Sequence, residues 1–367
     1  MLYCATILIC LVVGTIFRDT RIVGFLGMGV LAYLSGAANP LTTLDYPVYL
    51  QHYQLLGWET SPFERGYTWM SKLFFDMGFN YAEFRLISMI ITFLVLFVGV
   101  CIFTKKVALF TGLYGVTVFF NDATQVRNLM MIALVILGAG LMSKKNKFLR
   151  IVAMGIVLLS TQFHDLGFVF LIFLIPLSFI GMDRLVRYFK PFYVTSFVIG
   201  FVFAVLNTSS VLQLLAGLLE KFSSRQDSAT NLLTRYGRGN SFSTIALTWL
   251  SVILLIVTMR ILMRNARQLG IYESEQFKLV FIGSCVAIVS VFLIILAPDY
   301  SRISRNAFLF LLIMLCMVLE RKRIIISNRN LVKILTILSL LIVTTYANTR
   351  VWGSTYYDSI PYLAKIK

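Results

Sequence analysis

The residues best suited to chemistry gather in one polar stretch, positions 41–80. It holds Asp45, Tyr49, Gln51, His52, Tyr53, Glu59, Glu64, Arg65 and Tyr67. Almost nowhere else does the chain offer carboxylates, a histidine and phenols together. This stretch is therefore the part expected to meet a substrate. Asp45, Tyr49 and Tyr53 stand at i, i+4 and i+8, a spacing that lines one helical face. Each carboxylate also has a purely structural alternative. Asp45 precedes Tyr46-Pro47 and suits an N-cap. Ser61-Pro62-Phe63-Glu64 has the form of a capping box, with Glu64 folded back onto Ser61. Beyond it, Tyr67, Trp69, Met70, Leu73 and Phe74 read as an amphipathic helix at the membrane interface.

Arginines form the second group. Residues 208–242 carry a helical stripe of Leu212, Leu215, Ala216, Leu219 and Phe222, then Arg225, Arg235 and Arg238. Guanidinium forks match phosphate oxygens; the alternative is a solvated loop whose cations meet lipid headgroups. Three short polar turns complete the set: residues 121–128 with Arg127, residues 161–165 with His164, and residues 298–306 with Arg302 and Arg305. Arg302 and Arg305 are i, i+3, so both can aim at one ligand. Ionisable groups at membrane depth are costly and mark sites or pathways; snorkelling at a helix end is the plainer account of Arg127 and His164. His164 and Asp165 are sequence neighbours that do not face each other on a helix, so they do not argue for a hydrolase.

These groups must be positioned by a membrane scaffold. Of 367 residues, 59% are hydrophobic and 13% charged, against about 25% charged in soluble domains. Continuous apolar runs predict an all-α polytopic membrane protein with a single integral membrane domain over residues 1–367. Twelve spans are expected, at 2–17, 22–38, 84–103, 107–120, 129–142, 148–160, 166–180, 192–206, 243–263, 277–297, 307–319 and 334–348. The loops at 39–83 and 207–242 lie on the outer side and carry the short amphipathic helices. Counting the breaks assigned to the inner side, 20 of the 33 Lys and Arg but only 5 of the 16 acids fall there. The net charge of +17 thus reads as a topology signal and an anionic-lipid contact, not as nucleic-acid binding. No positive charge precedes the first apolar run, whereas Arg18 and Arg21 follow it. A cleavable signal peptide is therefore not expected, and the first helix should have its N-terminus outside.

The five cysteines all fall in apolar runs, and no CxxC occurs. No P-loop, GxSxG, HExxH or DxD pair is present, and the only histidines are His52 and His164. Neither a metal nor another cofactor is expected. Any phosphate handled here must be met by arginines.

Several motifs together resemble one family. Asp45-x3-Tyr49-x3-Tyr53, Glu64-Arg65-Gly66-Tyr67, Val126-Arg127-Asn128, Phe163-His164-Asp165 and Tyr300-Ser301-Arg302 look like the EpsG-like branch of Wzy-type polysaccharide polymerases. The resemblance implies a GT-C-like fold in the bacterial inner membrane, with its active site facing the periplasm. It implies a glycosyltransferase of O-antigen or exopolysaccharide biosynthesis. The glycan would pass from undecaprenyl diphosphate to a sugar hydroxyl of another undecaprenyl-diphosphate-linked repeat unit. A flippase and a chain-length regulator are the implied partners, beside membrane lipids. On that reading Arg127, Arg235, Arg238, Arg302 and Arg305 meet the diphosphate. Asp45, Glu64 and His164 are the candidates for the base. Tyr49, Tyr53 and Tyr67 stack on sugars. Two rival readings are a flippase or transporter of lipid-linked sugars and a membrane acyltransferase using His164.

Overall fold

Runs of apolar residues in a bilayer must satisfy their own backbone hydrogen bonds, and the helix does so within one segment. In the computed structural model, which describes residues 1–205, 241–321 and 328–352, all extended regular structure is helical; one isolated bridge joins Leu56 and Glu59. In chain order the helices are α1 (Leu2–Ile16), α2 (Arg21–Gly36), α3 (Tyr46–Gln54), α4 (Arg65–Asp76), α5 (Tyr81–Phe103), α6 (Val107–Thr117), α7 (Phe119–Thr124), α8 (Val126–Met142), α9 (Lys147–Ser160), α10 (Gly167–Ser178) and α11 (Met182–Val205). They continue as α12 (Phe242–Gln268), α13 (Glu275–Cys285), the short α14 (Ser290–Leu293), α15 (Ser301–Arg321) and α16 (Asn328–Trp352). The expected spans overlap helical segments of the described residues, though not all of these helices are long enough to cross a membrane. Among the described residues six segments are long and apolar enough to cross a membrane, and five apolar helices are shorter. The expected span 277–297 is not one uniform helix. A 3-10 turn at Val286–Val289 separates α13 from α14.

The chain divides into two compact units. The first comprises Met1–Leu171 with the described part of Leu312–Ile324; the second comprises the described parts of Ile172–Leu311 and Ile325–Val351. In the first unit α1 lies directly on α6: a Cβ on Gly14 would stand 2.3 Å from the Leu109 backbone nitrogen. Such small-residue contacts let helix backbones meet closely in a bilayer. Basic residues expected only to mark topology also hold the structure. Lys106 is buried, and its Nζ donates to the carbonyls of Gly14 (2.8 Å), Thr15 (3.3 Å) and Phe17 (3.0 Å). It thus satisfies the orphan carbonyls that end α1. Asn80 and Glu83 form a reciprocal capping box that starts α5. That start is three residues before the expected span.

Candidate functional site

The clearest cluster of functional side chains lies in the first unit, where α3, α4 and the N-terminus of α8 meet. Helix α3 turns Tyr46, Tyr49, His52 and Tyr53 inward. Helix α4 turns in Tyr67 and Ser71. Facing them is Arg127, the second residue of α8. Its Nη1 donates to the Glu64 carboxylate and its Nε to the Tyr49 hydroxyl (3.3 Å). The guanidinium stands 4.1 Å from the centre of the Phe63 ring, 5.7 Å from Tyr49 and 6.0 Å from Tyr67. Glu64 is 1% exposed and Arg127 7%. This is a desolvated ion pair enclosed by three aromatic rings, where each charge depends on the other.

The pair overturns the capping expectation for Glu64. Helix α4 begins at Arg65, not after Ser61, and Glu64 makes no side-chain cap bond. The Ser61 hydroxyl instead accepts from the Phe63 amide (3.1 Å) and pairs with Thr68 Oγ1 (2.6 Å). Asp45 stands at the N-cap position of α3, half-buried, also without a side-chain cap bond. Capping fails to account for either carboxylate.

Two sequence motifs meet at the start of α4. The Gln162 carbonyl accepts from the amides of Gly66 (2.9 Å) and Tyr67 (3.2 Å), so the 161–165 turn docks beside Glu64. Gly66 permits the approach, since a Cβ there would lie 2.7 Å from Gln162 Cβ and 2.8 Å from its carbonyl oxygen. His164 is half-buried on this turn. Its Nδ1 accepts from the Leu166 amide (3.2 Å), which leaves the proton of a neutral ring on Nε2.

The turn at 121–128 is not a solvated loop. Asn121, Asp122, Thr124, Gln125, Arg127 and Asn128 are all buried. The Tyr114 hydroxyl donates to Asp122 Oδ2 (3.2 Å) and Asn128 Nδ2 to Oδ1 (3.4 Å). The tyrosines assigned to sugar stacking are buried too. Tyr49 and Tyr67 pack on Phe63 and on each other, at 5.2–5.6 Å between centroids, and Tyr53 stacks on Phe84 at 5.2 Å. In this conformation their rings wall the cluster.

Two residues of the cluster have no role assigned from the sequence: Arg85, which is not singled out there, and His52, which counts only as part of the polar stretch. Arg85 is 1% exposed. Its Nε donates to the Ser35 carbonyl (3.1 Å), its Nη2 to the Ala123 carbonyl (2.6 Å) and its Nη1 to the Tyr81 hydroxyl (3.3 Å), while Tyr46 lies 5.2 Å below. Ser35 and Ala123 belong to the last turns of α2 and α7, so two helix C-termini compensate this buried cation. An ionisable residue inside an expected span was the available signal. The second is His52, buried edge-on against Phe63 (4.7 Å). Its Nδ1 lies 3.4 Å from Ser61 Oγ, and its Nε2 has no hydrogen-bond partner among the described residues. Burial first, and then the charge of Arg127, push its pKa down to about 4. His52 is therefore a neutral ring at physiological pH.

The remaining arginines fall elsewhere. Arg302 and Arg305 belong to the second unit. Arg302 pairs with Asp299 at 2.5 Å. Arg305 is buried and lines a polar cleft with Thr248, Ser251, Ser301, Thr344 and Asn348. Arg235 and Arg238, and the stripe from Leu212 to Phe222, lie outside the described residues. No group of three His, Cys, Asp or Glu that could hold a metal ion occurs among the described residues.

A helical scaffold with long apolar spans and a desolvated charge cluster at helix ends defines a polytopic membrane protein with a buried polar site. A sequence model of the EpsG family matches residues 21–363, and the chain belongs to that family. Membership agrees with the motif resemblance and points to a glycosyltransferase-like role in polysaccharide polymerisation. No curated protein and no solved structure matches the chain.

Proposed function

We propose that this protein polymerises lipid-linked oligosaccharide repeat units at the periplasmic face of the bacterial inner membrane, on a scaffold of twelve spans with a GT-C-like arrangement. The glycan leaves undecaprenyl diphosphate and joins a sugar hydroxyl of a second undecaprenyl-diphosphate-linked unit. One observation carries the reading: Arg127 is gripped by Glu64 and Tyr49, yet its Nη2 has no hydrogen-bond partner among the described residues. A cation fixed on one edge and open on the other suits a phosphate oxygen.

The chemistry follows from that edge. The acceptor hydroxyl oxygen bonds to the anomeric carbon while the bond from that carbon to the diphosphate breaks. Negative charge grows on the leaving oxygen, where a preoriented guanidinium stabilises it. The diphosphate competes with Glu64 for Arg127. The carboxylate so released takes the proton of the attacking hydroxyl. His164, on the turn docked beside Glu64 through Gln162, lies near enough to help orient the sugar or the diphosphate. Buried charges at helix ends favour this reading over a transport path. Arg85 is in the second turn of α5 and Arg127 in the first turn of α8, not midway along a span.

The test is incubation of purified protein in vesicles with an undecaprenyl-diphosphate-linked repeat unit. A ladder of products is expected, lost in Arg127→Ala, while single units still reach the cell surface in cells carrying that variant. Transfer of the unit across the vesicle wall without chain growth would make the protein a flippase instead. A gain of acyl mass would make it an acyltransferase.

A further inference from the structure

A second charged feature, on the opposite side of the expected topology, has no role in that chemistry. In the second unit, α11 and α12 run antiparallel near their inner ends. Asp183, at the start of α11, meets Arg267, near the end of α12, at 3.4 Å, and the Tyr272 hydroxyl joins both (3.0 and 2.9 Å). Further along, Arg260 of α12 stands 5.1 Å from the centre of the Tyr193 ring of α11. Asp183, Arg187 and Lys190 are i, i+4 and i+7, and so are Arg260, Arg264 and Arg267. Each trio therefore lines one face of its helix. The two side-chain contacts join the helices at either end of this seam.

Along the seam that these contacts bound, α11 carries Arg187 and Lys190 and α12 carries Arg260 and Arg264. All four are exposed, and none has an ion pair among the described residues. The nearby acids, Asp183 and Glu273, both act at the Arg267 end. Like charges facing each other repel, by an amount that grows as the surroundings lose water. Four like charges grouped at a bilayer surface favour an anion among them. Immediately toward the membrane the same helices expose apolar side chains: Val194, Val198 and Phe201 on α11, and Val257, Ile253 and Leu250 on α12.

We infer that this seam is a binding site for the phosphate headgroup of an anionic membrane phospholipid, and that a lipid with two phosphates fits it best. The four cations match two phosphate groups in charge. The apolar flank receives the acyl chains. A free phosphate would satisfy the cations but leave that flank without purpose. Basic clusters between helices on the cytoplasmic side are known to bind such headgroups.

Native mass spectrometry of the full chain in detergent tests the site, titrating a diphosphatidyl lipid, phosphatidylglycerol and phosphatidylcholine. The expected order of affinity is that order. Arg187→Gln with Arg264→Gln should weaken the diphosphatidyl lipid about 30-fold, the effect of removing two surface cations. Lys144→Gln with Lys145→Gln, on another inner-side loop, should leave it unchanged. Raising the salt should strip the lipid from the unaltered protein, a readout that needs no variant to fold. Equal loss in both double variants, equal affinity for phosphatidylcholine, or full displacement by millimolar inorganic phosphate would overturn the inference, the last by making the seam a free-anion site.

Discussion

Glu64 and Arg127 give the sharpest test of whether a buried ion pair serves structure alone or chemistry too. Removing one member strands the other charge at 1% or 7% exposure. Breaking a buried pair in this way costs about 3–5 kcal/mol, whereas replacing both members with uncharged side chains of similar volume is close to neutral. Arg127→Met should therefore lower the melting temperature of detergent-purified protein by roughly 6–20 °C, at 2–4 °C per kcal/mol for a unit of this size. Glu64→Gln should fall less, since the amide oxygen still accepts from Nη1. The double variant should recover most of the lost stability. Its activity should not recover, because the guanidinium that meets the diphosphate and the carboxylate that takes the proton are both gone. The assay is a thermal melt beside a product ladder for all four proteins. A double variant that regains both stability and ladder would refute the catalytic assignment and leave the pair as a structural strut.

Three further outcomes follow from the same cluster. Gly66→Ala drives a Cβ to within 2.8 Å of the Gln162 carbonyl oxygen; overpacking of this kind costs about 1–3 kcal/mol, seen as a lower melting temperature, and should undock the His164 turn and shorten the ladder. Arg85→Lys should not rescue Arg85→Met, since one ammonium does not reproduce the planar fork that reaches Ser35, Ala123 and Tyr81; each carbonyl left bare costs about 1–3 kcal/mol, again read by melting. For His52 the folded pKa, about 4, lies below the ordinary 6.5. Between those values the unfolded chain binds the extra proton, so the stability present above pH 6.5 declines as pH falls toward 4, by on the order of 3 kcal/mol. His52→Leu should flatten that part of the pH–stability curve.

The helices were legible because the bilayer imposes one rule on every span. Continuous apolar runs located α1, α2, α5 and α6 to within a few residues. The 3-10 break at Val286–Val289 was not legible, because Cys285 to Ile295 reads as one apolar run apart from Ser290. Arg85 was hidden for a related reason. The expected span opened at residue 84, so a basic residue at its edge passed as an ordinary flank. Its worth depends on two carbonyls, Ser35 and Ala123, that are 50 and 38 residues away in the chain. No local pattern records that a helix elsewhere ends against it.

The fate of Glu64 shows why the site was only half visible. Ser61-x-x-Glu64 is a sound local capping pattern, and such a cap typically contributes about 1 kcal/mol. Against it stood a buried guanidinium 63 residues later in the chain, whose isolation would cost several kcal/mol. The larger cost decides. Glu64 turns to Arg127, the helix starts late at Arg65, and the Ser61 hydroxyl falls to the Phe63 amide, Thr68 and His52. That same competition makes the carboxylate useful. Glu64 is held by one strong partner and by no backbone cap. An anion that displaces it from Arg127 therefore frees it as a base without unwinding α4.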